Sequence, residues 1–256
     1  DYRSVMGNLG GKQVFNSDGT IITEGEEYCS WYGYKSAGLF QSDEEIAGSA
    51  LLVASTKPGD VKYVDVSGPD GTPDGIINDT HDRVVLGSSL PHYIYGGSIN
   101  LGWKGISFSV LFNGVGHQLS RLTEDMVRPF QNQWLSAPSV LRKSNGGRDY
   151  WSRYNTDEEN LKVRYPRLSE SGARYNNYKM SDYWLVNSAY LRIKNINLGY
   201  TFPKSIISKV NLKGLRVYFN VDDPFCFDNY LKGWDPEAGA STYIARTWTF
   251  GLDLKF

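Results

Sequence analysis

Residues 93–113 alternate between apolar and small or polar side chains with a period of two, and that alternation limits what the chain can fold into. Tyr93, Tyr95, Ile99, Leu101 and Trp103 take the odd positions, with Gly96, Ser98, Asn100 and Gly102 between them. After Lys104-Gly105 the rhythm resumes, Ile106, Phe108, Val110 and Phe112 alternating with Ser107, Ser109, Leu111 and Asn113. Period-two alternation on both sides of a two-residue connection specifies a β-hairpin. Three further segments repeat the pattern. Residues 183–202 change phase near Asn195, Leu191 and Ile193 keeping one register and Ile196, Leu198, Tyr200 and Phe202 the other, which predicts a β-bulge. Residues 215–222 alternate, and residues 246–256 place Trp248, Phe250, Leu252, Leu254 and Phe256 on one face.

Composition narrows the function classes. Lys and Arg total 27 against 28 Asp and Glu, a net charge of −1, so the basic excess of a general nucleic-acid binder is absent. Cys29 and Cys226 form no CxxC pair or disulfide framework, and His81, His92 and His117 lack zinc-ligand spacing. Aromatic residues make up 14% of the chain, with 18 Tyr and 7 Trp beside 27 Gly, as suits an all-β protein. No apolar run has the length of a transmembrane helix. Residues 1–4 show no basic segment leading into an apolar one, so no signal peptide is expected there; the chain reads as a soluble cytosolic β protein or as a piece or mature form of an exported one.

Connection lengths favour export. Lys104-Gly105 is short, 116–182 very long, 203–214 moderate and 223–245 long. Short turns at one end and long loops at the other describe an antiparallel membrane barrel, with the apolar stripes toward lipid and the polar stripes toward the lumen. Aromatics near strand ends (Tyr93, Trp103, Tyr183, Tyr200, Trp248, Phe256) suit interfacial girdles. A soluble sandwich also alternates and is the competing fold. Five strands cannot close a barrel. The expectation is therefore the C-terminal part of a larger one: residues 1–92 an extracellular loop region with short extended pieces, and residues 93–256 barrel strands with a long loop at 117–182. Short turns at the periplasmic end place the C-terminus in the periplasm.

Several stretches then resemble one family. Lys57-Pro-Gly-Asp-Val-Lys-Tyr-Val-Asp65, Asp74-Gly75-Ile76-Ile77-Asn78 and Asp82-Arg83-Val84-Val85-Leu86-Gly87 resemble a hallmark of the SusC/RagA family of TonB-dependent outer-membrane transporters, and Gly38-Leu-Phe-Gln-Ser42 the segment before it. Tyr165-Pro-Arg-Leu168, Tyr190-Leu-Arg-Ile-Lys-Asn-Ile-Asn-Leu-Gly-Tyr-Thr-Phe-Pro203, Leu215-Arg-Val-Tyr-Phe219, Gly233-Trp-Asp-Pro-Glu237 and residues 246–256 resemble later family segments. The sequence departs from the family pattern at Val221-Asp222-Asp223-Pro224, and a TonB box, a plug and N-terminal strands are not among its residues. The resemblance implies an all-β, antiparallel transmembrane barrel of about 22 strands. It also implies a SusD-like surface lipoprotein as lid, TonB as energy source and import of oligosaccharides or peptides, a nutrient uptake found in Bacteroidota.

Three motifs bear on sites. Asp70, Thr72 and Asp74, with Gly75 at the sixth place, the Ile76 carbonyl at the seventh and Asp82 one residue late, outline a calcium loop of the EF-hand kind; an ion-free Asx/Gly turn is the preferred reading. No other cofactor is expected. The stripe Trp248, Phe250, Leu252, Leu254 and Phe256 reads as a barrel-assembly signal. Tyr150, Trp151 and Tyr154, with Tyr165, are candidates for stacking on sugar or for contact with the lid. Acidic runs such as Asp43-Glu44-Glu45 and Asp157-Glu158-Glu159 do not point to glycosidase chemistry. A transporter segment is thus the first expectation, a secreted carbohydrate-binding sandwich the second and a glycan hydrolase the third.

Overall fold

The computed structural model describes residues 13–130, 141–143, 145–169, 174–208, 212–239 and 244–256. Residues 1–4 and parts of the 117–182 connection lie outside them. The chain divides into two compact units: residues 1–90 with 119–186, and residues 91–118 with 187–256.

The second unit carries one antiparallel five-stranded sheet of β7 (Tyr93–Trp103), β8 (Ile106–Gly116), β11 (Tyr190–Thr201), β12 (Gly214–Asp228) and β13 (Thr247–Lys255). Their order across the sheet is β13-β12-β11-β8-β7. The hairpin turns where the sequence predicts: Lys104 and Gly105 both have positive φ, 45° and 91°, as the tight turn matching strand twist requires. Between the hairpin turn and the bulge described below, register runs true across all five strands. One transverse row is Leu101, Phe108, Leu198, Phe219 and Phe250; the next toward the turn is Trp103, Ile106, Tyr200, Val217 and Leu252. On the opposite face runs Asn100, Ser109, Asn197, Asn220 and Thr249. One side is therefore apolar from row to row and the other mostly polar or glycine, Leu111 and the row Ile94, Val115 and Tyr190 apart, with Phe250 79% and Leu101 61% exposed on the apolar side. A sandwich would cover that side; here its rings and aliphatic chains stand open. Monomeric soluble proteins rarely expose a contiguous apolar face of this extent.

The predicted bulge lies at Lys194. On β11, Ile193 pairs with Phe112 and Asn195 with Leu111, so Lys194 is the extra residue against β8. Against β12 the same residue faces two, Asp223 and Pro224, because Ile193 pairs with Phe225 and Asn195 with Asp222. Proline has no N–H to leave unpaired, and a bulge is one of the few interior places where a sheet accepts it. β12 thus continues to Asp228, beyond the end expected at Asp222. The segment beginning at Tyr183 is interrupted. Asp182–Trp184 is a 3-10 turn and Leu185–Asn187 a short strand, β10. The Asn187 side chain then accepts from the Ala189 N–H (2.9 Å), an Asx turn that breaks the strand before β11. Tyr183 is accordingly no girdle residue: it packs against the core of the first unit.

That first unit is built from short strands. β1 (Val14–Phe15), β2 (Thr20–Ile22), β3 (Ser30–Tyr34) and β6 (Arg83–Ser88) form a sheet in that order. β4 (Ser36–Leu39) pairs with β5 (Val61–Tyr63), and β9 (Leu119–Arg121) with β10. Short helices α1 (Asp43–Ala47), α2 (Glu124–Val127), α3 (Asp157–Asn160) and α4 (Arg174–Asn177) punctuate the loops. A core of Tyr34, Leu39, Val61, Tyr63 and Ile77 takes Trp151, Val163 and Tyr183 against it. Both cysteines are free thiols.

Glycine and aromatic residues face each other across strands. Tyr218 is opposite Gly251, and a Cβ there would enter its ring. Gly102, on the same face of β7, has nothing nearer than a carbonyl 4.0 Å from where a Cβ would stand. Gly251→Val should therefore lower stability by about 1–3 kcal/mol through overpacking, and Gly102→Val should be close to neutral. Denaturant midpoints of the intact protein check this; equal midpoints would refute the cross-strand packing.

Candidate functional site

The residues read from sequence as an assembly signal lie where their alternation places them. Trp248, Phe250, Leu252 and Leu254 project from one face of β13, and Phe256 follows the strand, 79% exposed. Phe250 and Trp248 meet Phe219 of β12 at ring-centroid distances of 4.7 and 5.6 Å.

The Asp/Gly loop is organised from within. Asp82 is fully buried, one carboxylate oxygen accepting from the Val66 (2.8 Å) and Ser67 (3.3 Å) N–H groups and the other from Asn78 (2.8 Å). Asp65 accepts from the Gly75 N–H (2.6 Å), and Asp74 from Ile76 (2.9 Å). Asp70, Thr72, Asp74 and Ile76 are exposed and Asp82 is not. Among the described residues no group of three or more His, Cys, Asp or Glu is arranged to hold a metal ion.

Tyr150, Trp151 and Tyr154 converge. With Arg148, Ser152, Arg153, Arg167 and Leu168 they line a cavity of about 420 Å³. The backbone is held on both sides: Trp151 N–H donates to Tyr165 (2.9 Å) and Tyr165 N–H to Asp149 (2.9 Å). The buried Asn160 side chain accepts from the Ser152 N–H (3.1 Å) and the Asn155 amide (3.0 Å) and donates back to the Ser152 carbonyl (3.1 Å). α3 opens with a capping box, Thr156 and Glu159 each serving the other's N–H. Tyr165, the fourth aromatic of the sequence cluster, is 2% exposed and stacks with Trp184, so it supports the floor rather than offering a face.

Arg167 reaches the cavity from an ion pair that explains the Lys57-Pro-Gly-Asp60 motif. Asp60 is 1% exposed and takes both guanidinium bonds of Arg167, at 2.7 and 3.2 Å. It also accepts from the Asn177 amide (2.9 Å) and the Lys57 N–H (2.9 Å). Gly59, with φ of 86°, lies against the Trp151 ring, where a Cβ would stand 2.5 Å from a ring carbon. Asn177 in turn accepts from the Val61 N–H (2.9 Å), and Trp184 donates its indole N–H to the Asn177 carbonyl (2.6 Å). Burial holds the Tyr63 hydroxyl protonated, well above the usual phenol range, and it donates to the Asn176 carbonyl (2.6 Å). The arginines were the part that aromatic spacing did not reveal; their signal was the flanking of Tyr150-Trp151 and Tyr154 by Arg148 and Arg153.

A second charged cluster sits on the polar face of the sheet. Arg192, 3% exposed, bonds Asp235 and meets Glu237 (3.2 Å) and Asp223 (3.7 Å), while Lys194 bonds Glu237 (2.9 Å). These bonds fasten residues 233–239 to the bulge. Although partial burial pushes the Asp235 carboxyl up, the bond from Arg192 and the N–H groups of Glu237 and Ala238 win, holding it below its ordinary value near 3.8.

Two outcomes follow. Asp60→Ala leaves a guanidinium and two amide donors without their acceptor and should cost about 3–5 kcal/mol, read as a drop in denaturant midpoint; a wild-type midpoint would remove Asp60 from its organising role. Because the folded Asp235 is depressed, its contribution is complete above pH 3.8 and is lost as pH falls through the lower folded value. Hydrogen exchange of residues 233–239 should therefore stay protected at pH 5 and rise only below about pH 4; loss of protection nearer neutrality would contradict the clamp.

No family model matches the chain. It is 28% identical over 255 residues to TonB-dependent receptor P3 of Formosa agariphila, covering 92% of this chain and 23% of that receptor. It is likewise 28% identical over 262 residues to TonB-dependent receptor P39 of the same organism, covering 90% and 24%. Over 84 residues it is 42% identical to TonB-dependent receptor SusC of Bacteroides thetaiotaomicron, 30% of this chain and 8% of SusC. Among solved structures, the RagAB peptide transporter superposes over 97% of this chain and 25% of its own, with a TM-score of 0.65 at 21% identity. At that identity the likeness speaks for the fold. The chain thus spans about a quarter of the length of the curated receptors it matches at full extent. These relatives are receptors and transporters, not enzymes, and the hydrolase reading falls away. Over nine tenths of its length the chain is thus similar in sequence to TonB-dependent receptors, SusC among its relatives over a shorter stretch, and its fold is that of part of a transporter β-barrel.

Proposed function

We infer that the chain forms one arc of an outer-membrane transporter that imports oligosaccharides or peptides. In this reading it works with a SusD-like surface lipoprotein and draws energy from TonB through the rest of the receptor. The observation that carries the reading is the five-stranded sheet, apolar and exposed along one face and mostly polar along the other, in strands of 9 to 15 residues. About 9–11 tilted residues suffice to cross a bilayer. No described helix is long and apolar enough to cross a membrane, and strands need none. The short Lys104-Gly105 turn belongs at the periplasmic end, as does the C-terminus, with residues 1–92 and 117–182 outside. Trp248, Phe250, Leu252, Leu254 and Phe256 serve barrel assembly. The Asp/Gly loop is an ion-free turn, because Asp82, the acid a calcium ion would need, is taken up by three backbone N–H groups.

In the full-length receptor, Phe250→Arg should cost about 2–4 kcal/mol near the bilayer midplane and reduce folding yield into lipid vesicles. Wild-type yield would reverse the facing assigned to the sheet. Uptake of labelled oligosaccharide or peptide mixtures by cells carrying the receptor should vanish when TonB is deleted; persistence would refute the transport mechanism.

A further inference from the structure

Among the described residues, three guanidinium groups and three aromatic rings line the cavity at residues 148–168, and no carboxylate does. Its cations differ in standing. Arg167 is committed to the buried Asp60 behind the wall. Arg148 and Arg153 are exposed; Arg148 donates to the Asn155 side-chain oxygen (3.3 Å) and stands close enough to favour the charged Glu159 carboxylate, and the Arg153 guanidinium stands 5.8 Å from the centre of the Tyr154 ring. Tyr154 is 76% exposed, with a polar handle and an open face. The neighbouring acids Asp157, Glu158 and Glu159 lie in the first turn of α3 and do not line the cavity. A site of this composition favours an anion, since guanidinium groups bind carboxylates with charge-assisted, paired bonds.

We propose that this cavity binds a carboxylate-bearing sugar unit, a uronic acid within an oligosaccharide. Arg153 and Tyr154 are consecutive, so cation and flat face are offered within one ring's width. In a uronate the carboxylate is attached to the same ring whose apolar face stacks. An acidic peptide would have to bring charge and flat face from separate residues. The proposal rests on the transporter reading and narrows its cargo.

Full-length receptor with its lipoprotein, in detergent, is titrated calorimetrically with tetragalacturonic acid, its fully methyl-esterified form and tetraglutamate. The acid should bind about tenfold or more tightly than the ester. Arg148→Gln with Arg153→Gln should abolish that preference, and Tyr154→Ala should weaken acid and ester alike; neither change touches the Asp60–Arg167 pair, and an unchanged unfolding midpoint verifies the fold. Equal binding of acid and ester, no binding of either, or a preference that survives the double variant overturns the proposal. Tetraglutamate bound as tightly as the uronate overturns the sugar assignment in favour of peptide. TonB-dependent uptake measured in parallel separates the two levels: uptake without acid preference sinks the cavity alone, whereas its absence sinks the transporter reading.

Discussion

In hydrocarbon every backbone N–H and C=O must find a partner within the protein, because water supplies none. That requirement shapes the five-stranded sheet. Its three inner strands meet it on both sides; β7 and β13 meet it on one. Among the described residues both edges are long, regular strands, and β7 carries none of the charged or bulged guards that blunt the edges of soluble sheets. At the one irregularity, proline removes the donor that the bulge would strand.

The first unit solves the same accounting by other means. With strands as short as two residues, it relies on buried side chains to satisfy loop backbone. Asp82 gathers three N–H groups, and Asp60 joins Lys57, Arg167 and Asn177. Asn176 and Asn177 extend that network to β5 and Trp184. The Asp and Gly motifs that mark the family resemblance are therefore the frame of the loop region, and they fix the wall on which Arg167 and Trp151 stand.

What could be read in advance was what depends on near neighbours. The hairpin at Lys104-Gly105 and the phase change around Lys194 follow from alternation, and the structure has both. The region 183–189 alternates as a strand does, yet Trp184 stacks on Tyr178 in the first unit and Asn187 turns the chain. The continuation of β12 past Pro224 was hidden because proline ordinarily ends a strand, and only the lone Lys194 opposite makes room for it. For the cavity, three aromatic residues were visible as a cluster. Arg167 was not, since its position is set by an acid 107 residues away.

The clamp around Arg192 has a consequence for the loop it holds. With Arg192 only 3% exposed, its ion pairs are less screened by dissolved salt than surface pairs are, so residues 233–239 stay fastened to the polar face of the sheet at ordinary pH and ionic strength. This stretch of a long connection therefore moves with the strands it crosses and not as a free loop.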